Sequence, residues 1–163
     1  MTAPLNLALR RASLADADAL NALARAAYAV YLPVIGREPM PMAVDWRSLL
    51  AEQEIWLMDG PKGDGPQPGN AIASLALQAK PGHLVIWSVA VLPTHQHQGL
   101  GRRLLAFAEQ RAHAQGFPEI RLFTNSLMTR NIALYRSLGY VETGREPLSD
   151  RIILHMSKRL DAA

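Results

Sequence analysis

The sequence predicts a mixed α/β fold, a central mixed sheet with helices on both faces, in one domain over residues 1–163. Three observations carry that expectation. Strand-like and helix-like periodicities follow one another in the order βααβββαβαββ, which suits a single layered α/β structure. The stretch "HLVIWSVAV" at 83–91 is apolar on both faces, with Val85, Trp87, Val89 and Val91 on one and Leu84, Ile86, Ser88 and Ala90 on the other, as a central strand requires. The strand–helix–strand unit from 83 to 125 implies a parallel pair joined by a right-handed crossover. At 163 residues the chain is long enough for one full core, and two domains would be cramped.

Residues 5–11, "LNLALRR", alternate as a first strand. Ser13 with Asp16 three residues on resembles a capping box, and Leu20, Ala24, Ala27, Tyr28 and Tyr31 follow at helical spacing. Pro33 is expected to stop that helix, and the prolines of "GREPMPM" at 36–42 argue against regular structure there. A short helix over 43–52 precedes a strand at "EIWLMD". The turn-rich "DGPKGDGPQPGN" at 59–70 is the connection of a long hairpin. "AIASLALQA" and "HLVIWSVAV", joined by "KPG", are the next strands. A helix from about Gly99 closes at Gly116, with Pro118 beyond it. "EIRLFTN" is a strand, "MTRNIALYRSLG" a short helix ending at Gly139, and "YVETGR" and "RIILHMS" are the last strands.

Composition removes several classes of function. The chain has no cysteine, hence no disulfide framework, thiolate metal site or cysteine nucleophile. No apolar run approaches the roughly 18 residues of a membrane span, and the first residues show no basic head followed by an apolar block. A cytoplasmic address without membrane attachment is expected. The net charge of +3 comes from scattered basic residues, which argues against nucleic acid as a partner. The histidines of "HQH" at 95–97 lack a third nearby ligand, so no metal site is expected. His113 and His155 are taken as surface or satisfied core groups, and Trp46, Trp56 and Trp87 as core or wall residues.

The segment "HQHQGLGRRLL" from position 95 places Gly99 and Gly101 where a helix should start, although glycine costs up to about 1 kcal/mol against alanine inside one. The first amides of a helix lack internal partners and carry the positive end of its dipole. Bare glycines there would let a phosphate approach them, with Arg102 and Arg103 just behind. A Walker loop needs Lys-Ser/Thr after its last glycine, and a dinucleotide fingerprint needs a third glycine; position 101 is followed by two arginines and position 104 is Leu. Both are rejected.

"VAVLPTHQHQGLGRRLL" resembles the acetyl-CoA signature of the GNAT family of N-acetyltransferases: a strand ending V-x-P (Val91-Leu92-Pro93), then Gln/Arg-x-x-Gly-x-Gly/Ala at Gln96 to Gly101. About 30 residues on, "NIALYRSLGY" resembles the family helix that carries an active-site tyrosine and ends L-G-F/Y. The likeness spans essentially the whole chain. It implies transfer of the acetyl group of acetyl-CoA to a primary amine acceptor by direct attack, with homodimers common. Backbone groups of Val89, Ala90 and Val91 would bind the pantetheine arm as an added strand. His97, Gln98, Gly99, Leu100, Gly101 and Arg102 would hold the pyrophosphate, with Gln96 shaping the loop. Tyr135 stands at the position of the general acid. Asn131, one helical turn earlier, could bond the pantetheine; many relatives have an asparagine seven residues before the tyrosine, where this chain has Met128.

The general base has no obvious source, because strand 83–91 lacks the carboxylate many relatives carry there. His83, Glu54, Glu38 or a water chain are the candidates. Acceptor selection is assigned to the first helix and the loop after it, through Tyr28, Tyr31, Arg37, Glu38 and Asp45, with Arg37-Glu38 either a loop-fixing ion pair or a recognition pair. The alternatives are a non-catalytic acyl-CoA-binding or regulatory module, against which Tyr135 argues, and a protein N-terminal acetyltransferase.

Overall fold

A computed structural model describes residues 8–66 and 69–161. Seven strands form one sheet in the order β1-β2-β3-β4-β5-β7-β6. They are β1 (Leu9–Arg11), β2 (Glu54–Asp59), β3 (Ala71–Lys80), β4 (His83–Val91), β5 (Glu119–Asn125), β6 (Val141–Pro147) and β7 (Ile152–Arg159). The helices are α1 (Ala17–Tyr28), α2 (Leu32–Ile35), α3 (Met40–Ala43), α4 (Trp46–Glu52), α5 (Leu100–Ala114) and α6 (Thr129–Ser137). β4 holds the middle of the sheet and pairs parallel with β5; the other neighbours are antiparallel. Of the expected first strand, residues 5–7 lie outside the described residues.

The start of α1 follows the sequence signal. The Asp16 carboxylate accepts from the Ser13 amide at 2.8 Å and from the Arg10 guanidinium, which fastens β1 to the helix entrance. The end of α1 does not follow it. The chain continues through a 3₁₀ turn at Ala29–Tyr31 into α2, and Pro33 sits in the first turn of that helix rather than stopping one. Gly36 then closes α2 at φ 78°. Pro41 likewise lies in the first turn of α3, so Met40–Ala43 is helical despite the paired prolines. Proline is tolerated where a helix has not yet begun to use its amides.

The strand faces need a second correction. Between β3 and β4 the register runs Leu77↔Ile86 and then Ala76↔Ser88, which leaves Trp87 as the extra residue of a β-bulge. The bulge interchanges the faces. Leu84, Ile86, Val89 and Val91 share one side, opposite Ala79, Leu77, Leu75 and Ala73, while Val85, Ser88 and Ala90 lie on the other. α5 packs on the first side, where Phe107 meets Trp56 edge-on at 4.8 Å beside Leu75. α1 packs on the second, where the Tyr28 hydroxyl lies 3.1 Å from Ser88 Oγ. Helices thus cover both faces of a sheet whose core includes Leu20, Leu23, Leu57, Leu75, Leu104 and Ile120. No helix among the described residues is long and apolar enough to cross a membrane.

Candidate active site

β4 and β5 begin side by side and then part. Their ladder covers only Leu84–Ile86 against Ile120–Leu122, yet β4 runs on to Val91 and β5 to Asn125. The backbone of β4 beyond the bulge has therefore lost its neighbour on one side. Tyr28 donates to the Val89 carbonyl at 2.9 Å and Gln96 Nε2 to the Val91 carbonyl at 3.1 Å, both from that open side. The Leu92 amide donates instead to the Ile72 carbonyl of β3. Alternation along the strand turns Ala90 to β3 as well, so Val89 and Val91 are the residues whose backbones face the gap.

Two clefts open from this split. One, of about 360 Å³, runs along Val89–Val91 to the start of α5. The other, of about 110 Å³, lies between the ends of β4 and β5 under the α2–α3 segment. Tyr28, Val89, Asn131 and Tyr135 line both, and so mark where they meet.

The larger cleft ends at the glycine stretch. Gly99 caps α5 at φ 82° and His97 is left-handed at φ 64°, a conformation costing roughly 1–2 kcal/mol in a residue other than glycine. The amides of Gly99, Leu100, Gly101 and Arg102 donate to no carbonyl of the described residues; the helix ladder starts with Arg103 to Gly99 at 3.1 Å. A Cβ at Gly99 would meet nothing within 4 Å, and one at Gly101 only Leu134 at 3.7 Å. Gly99 is needed for its backbone conformation, whereas Gly101 has ordinary backbone and room for a Cβ. Arg102 lines this cleft and donates to Ser137 Oγ at 3.2 Å, tying α5 to α6. His97 and Leu100 line it too, while Gln98 is exposed and outside it.

Tyr135 sits on α6, and Gly139, at φ 96°, ends that helix so that the Tyr140 amide reaches the Tyr135 carbonyl at 3.1 Å. Among the described residues its hydroxyl has no hydrogen-bond partner, and burial holds its pKa well above the usual 10. Burial likewise pushes Tyr28 up to about 12, partly offset by the bonds to Ser88 and Val89. Asn131 accepts from the Tyr31 hydroxyl at 3.2 Å, which spans the cleft from the α1–α2 turn to α6.

The candidate bases separate clearly. Glu54 is committed to Arg111, Trp56 Nε1 and Gln115, away from both clefts. Burial would raise its pKa, but the Arg111 and Trp56 bonds more than offset that and lower it. His83 opens β4 at the end remote from the split and lines neither cleft. Glu38 lines the smaller cleft. Asp45 is no acceptor contact: its side chain caps α4, taking the Arg47 amide at 3.1 Å and Ser48 Oγ at 2.7 Å. Arg37 and Glu38 do not pair with each other; Arg37 meets Asp150 and Glu38 lies 3.8 Å from Arg25.

Sequence reasoning missed Arg151 and the walls supplied by Leu122–Asn125 in the smaller cleft. Ser88, the one polar residue within "HLVIWSVAV" past its first position, was an available signal for a functional strand. His95 is buried and bonded to Thr94 and Asp64, and among the described residues no group of three or more His, Asp or Glu could hold a metal ion.

The acetyltransferase (GNAT) family model matches residues 19–140, and the chain belongs to that family. Among curated proteins it is similar to N-acetyltransferase family 8 member 3 of Rattus norvegicus, 42% identical over 50 residues, 31% of this chain and 22% of that protein. The chain matches less than half the length of the curated relatives. Among solved structures it resembles PaiA N-acetyltransferase from Thermoplasma acidophilum in complex with coenzyme A, with a TM-score of 0.78 at 15% identity over 96% of this chain and all of that one. It also resembles yncA from Salmonella typhimurium with its cofactor acetyl-CoA, with a TM-score of 0.70 at 21% identity over 97% and 96% of the two chains.

Proposed function

We propose that this chain transfers the acetyl group of acetyl-CoA to a primary amine by direct attack. The observation that carries this is the meeting of two clefts at Tyr28, Val89, Asn131 and Tyr135, where β4 and β5 part. One cleft suits the coenzyme and the other the acceptor, with a peptide edge and a phenol between them.

The residues fit acetyl-CoA on three counts. The amides from Gly99 to Arg102, without a partner among the described residues and with the Arg102 guanidinium beside them, suit a diphosphate. The gap-facing backbones of Val89 and Val91 suit the amides of the pantetheine arm, in the manner of strand addition. The Val89 amide suits the thioester carbonyl, where a fixed donor stabilises developing negative charge. When bound, the coenzyme supplies an activated acetyl group. In this assignment Gln96 holds the loop to the end of β4, and Asn131, braced by Tyr31, faces the arm.

Tyr135 acts on the departing sulfur. A thiol near pKa 8.5 is a stronger acid than even an ordinary phenol near 10, so full proton transfer would run uphill by about 2 kcal/mol. Burial raises the Tyr135 pKa further, so its role is a hydrogen bond that stabilises the thiolate. Attack needs the neutral amine, which costs a lysine-like acceptor roughly 4 kcal/mol at pH 7.5 but an α-amine near 7.7 only a few tenths. Glu38 or water at the smaller cleft takes the proton, and a less basic amine is favoured.

The test is coenzyme-thiol release with an acceptor that supports turnover. Tyr135→Phe should lower kcat about ten- to a thousandfold, with the acetyl-CoA dissociation constant changed less than about threefold. Wild-type kcat in that variant removes Tyr135 from the reaction. Acetyl-CoA binding without turnover on any amine would support a binding module instead.

A further inference from the structure

The smaller cleft has a charge pattern that bears on what enters it. Its body is apolar, with Ile86, Trp87, Leu122, Met128 and Ile153 in its walls. Two arginines distant in sequence reach it: Arg37, just after the Gly36 turn that ends α2, and Arg151, just before β7. They share one carboxylate. Arg37 Nη1 meets Asp150 Oδ2 at 2.5 Å and Arg151 Nη1 meets Asp150 Oδ1 at 2.9 Å. The remaining guanidinium nitrogens of both have no partner among the described residues. Glu38, the one acidic residue of the lining, has Arg25 at 3.8 Å to balance it. Two cations held by a single aspartate leave an unmatched positive charge at the cleft, with planar donors free to grip an anion.

We propose that Arg37 and Arg151 recognise a carboxylate on the acceptor. The acceptor is then an amine with an apolar body and a carboxylate, an amino-acid-type amine rather than a polycation. This assignment rests on the transferase function proposed above. A polyamine or a peptide with basic side chains would bring its surplus positive charge against two guanidiniums, which disfavours it. A carboxylated amine compensates that charge, and its apolar portion contacts Trp87 and Met128 while its nitrogen lies toward Val89 and Tyr135. In the absence of the acceptor Asp150 is the one carboxylate on the two guanidiniums, and the acceptor carboxylate competes with it for them.

The test compares matched acceptors in a thiol-release assay: phenylalanine, methionine and 6-aminohexanoate against phenethylamine, 3-(methylthio)propylamine and spermidine. Acetyl-CoA binding is measured separately by calorimetry. The carboxylated amines should be preferred at least tenfold in kcat/KM. Coenzyme binding with equal or better turnover of amines lacking a carboxylate, or with no turnover of any carboxylated amine, overturns the proposal while leaving the coenzyme cleft intact. Absence of coenzyme binding removes the transferase function itself, and the acceptor proposal with it.

Variants separate recognition from a strap that merely closes the loop. Arg37→Gln and Arg151→Gln should each raise KM for the preferred acid about ten- to a hundredfold, with kcat changed much less, and Arg151→Lys should recover part of the loss. The two arginines lie on different connections, α2–α3 and β6–β7, so if one variant fails to fold the other still reports. Asp150→Asn breaks the same ion pairs but frees both guanidiniums, and should leave KM for the acid unchanged or lower. An equal rise in KM for Asp150→Asn and the arginine variants would show a structural strap and overturn recognition.

Discussion

At the scale of single residues, the two glycines at the start of α5 differ in backbone, and substitution separates them. Gly99 is left-handed, so Gly99→Ala imposes roughly 1–2 kcal/mol of backbone strain and should lower the melting temperature by a few degrees. Gly101 has ordinary backbone and room for a methyl group against Leu134. Gly101→Ala should melt with wild type and bind acetyl-CoA with little change, because the family signature admits Ala here and the added methyl group meets only Leu134. A loss of affinity of about tenfold in that variant would mean that the coenzyme packs directly against the Gly101 Cα. That Tyr135, Asn131 and these glycines share the clefts was legible in the sequence because they fall in short segments along the chain. Arg151 was not, since it reaches the cleft only through the pairing of β7 with β5, a contact between distant residues. Asp45 misled because a carboxylate that caps a helix looks the same in sequence as one that faces a ligand.

At the scale of elements, periodicity located most strands and helices, and local backbone chemistry explains the failures. Pro33 and Pro41 read as breakers but occupy first turns, where their missing amides cost nothing. The bulge at Trp87 was hidden because both faces of β4 are apolar, so an interchange of faces leaves no mark in the hydropathy pattern. That bulge lies at the point where β4 and β5 part, and the site depends on it. The junction of β1 with α1 makes a pH prediction. The Arg10 hydrogen bond, aided by the Ser13 amide and opposed by partial burial, holds the Asp16 pKa below its ordinary 3.8. A depressed carboxylate stabilises the fold above its unfolded pKa and loses that contribution as pH falls through the folded value. Urea midpoints of wild type and Asp16→Asn should therefore differ at pH 7 and converge as pH falls below the ordinary carboxylate range and through the lowered folded value. A gap unchanged by acid would mean that the Asp16 charge contributes nothing.

At the scale of the molecule, the larger cleft draws residues from α1, β4, α5 and α6, so acetyl-CoA bound there should stabilise the chain as one unit. Acetyl-CoA at a hundred times its dissociation constant adds about 2.7 kcal/mol, which for a chain of this size raises the melting temperature by roughly 5–10 °C. A single transition should move as a whole; two transitions, only one of them shifted, would contradict a single domain. The central claim is that the gap between β4 and β5 and the bare start of α5 together hold acetyl-CoA. Calorimetric titration of acetyl-CoA into the full chain tests it most directly. One site per chain with a dissociation constant at or below about 100 μM, an affinity near 5.5 kcal/mol, is the predicted result, and titration heats no larger than those of dilution would contradict it.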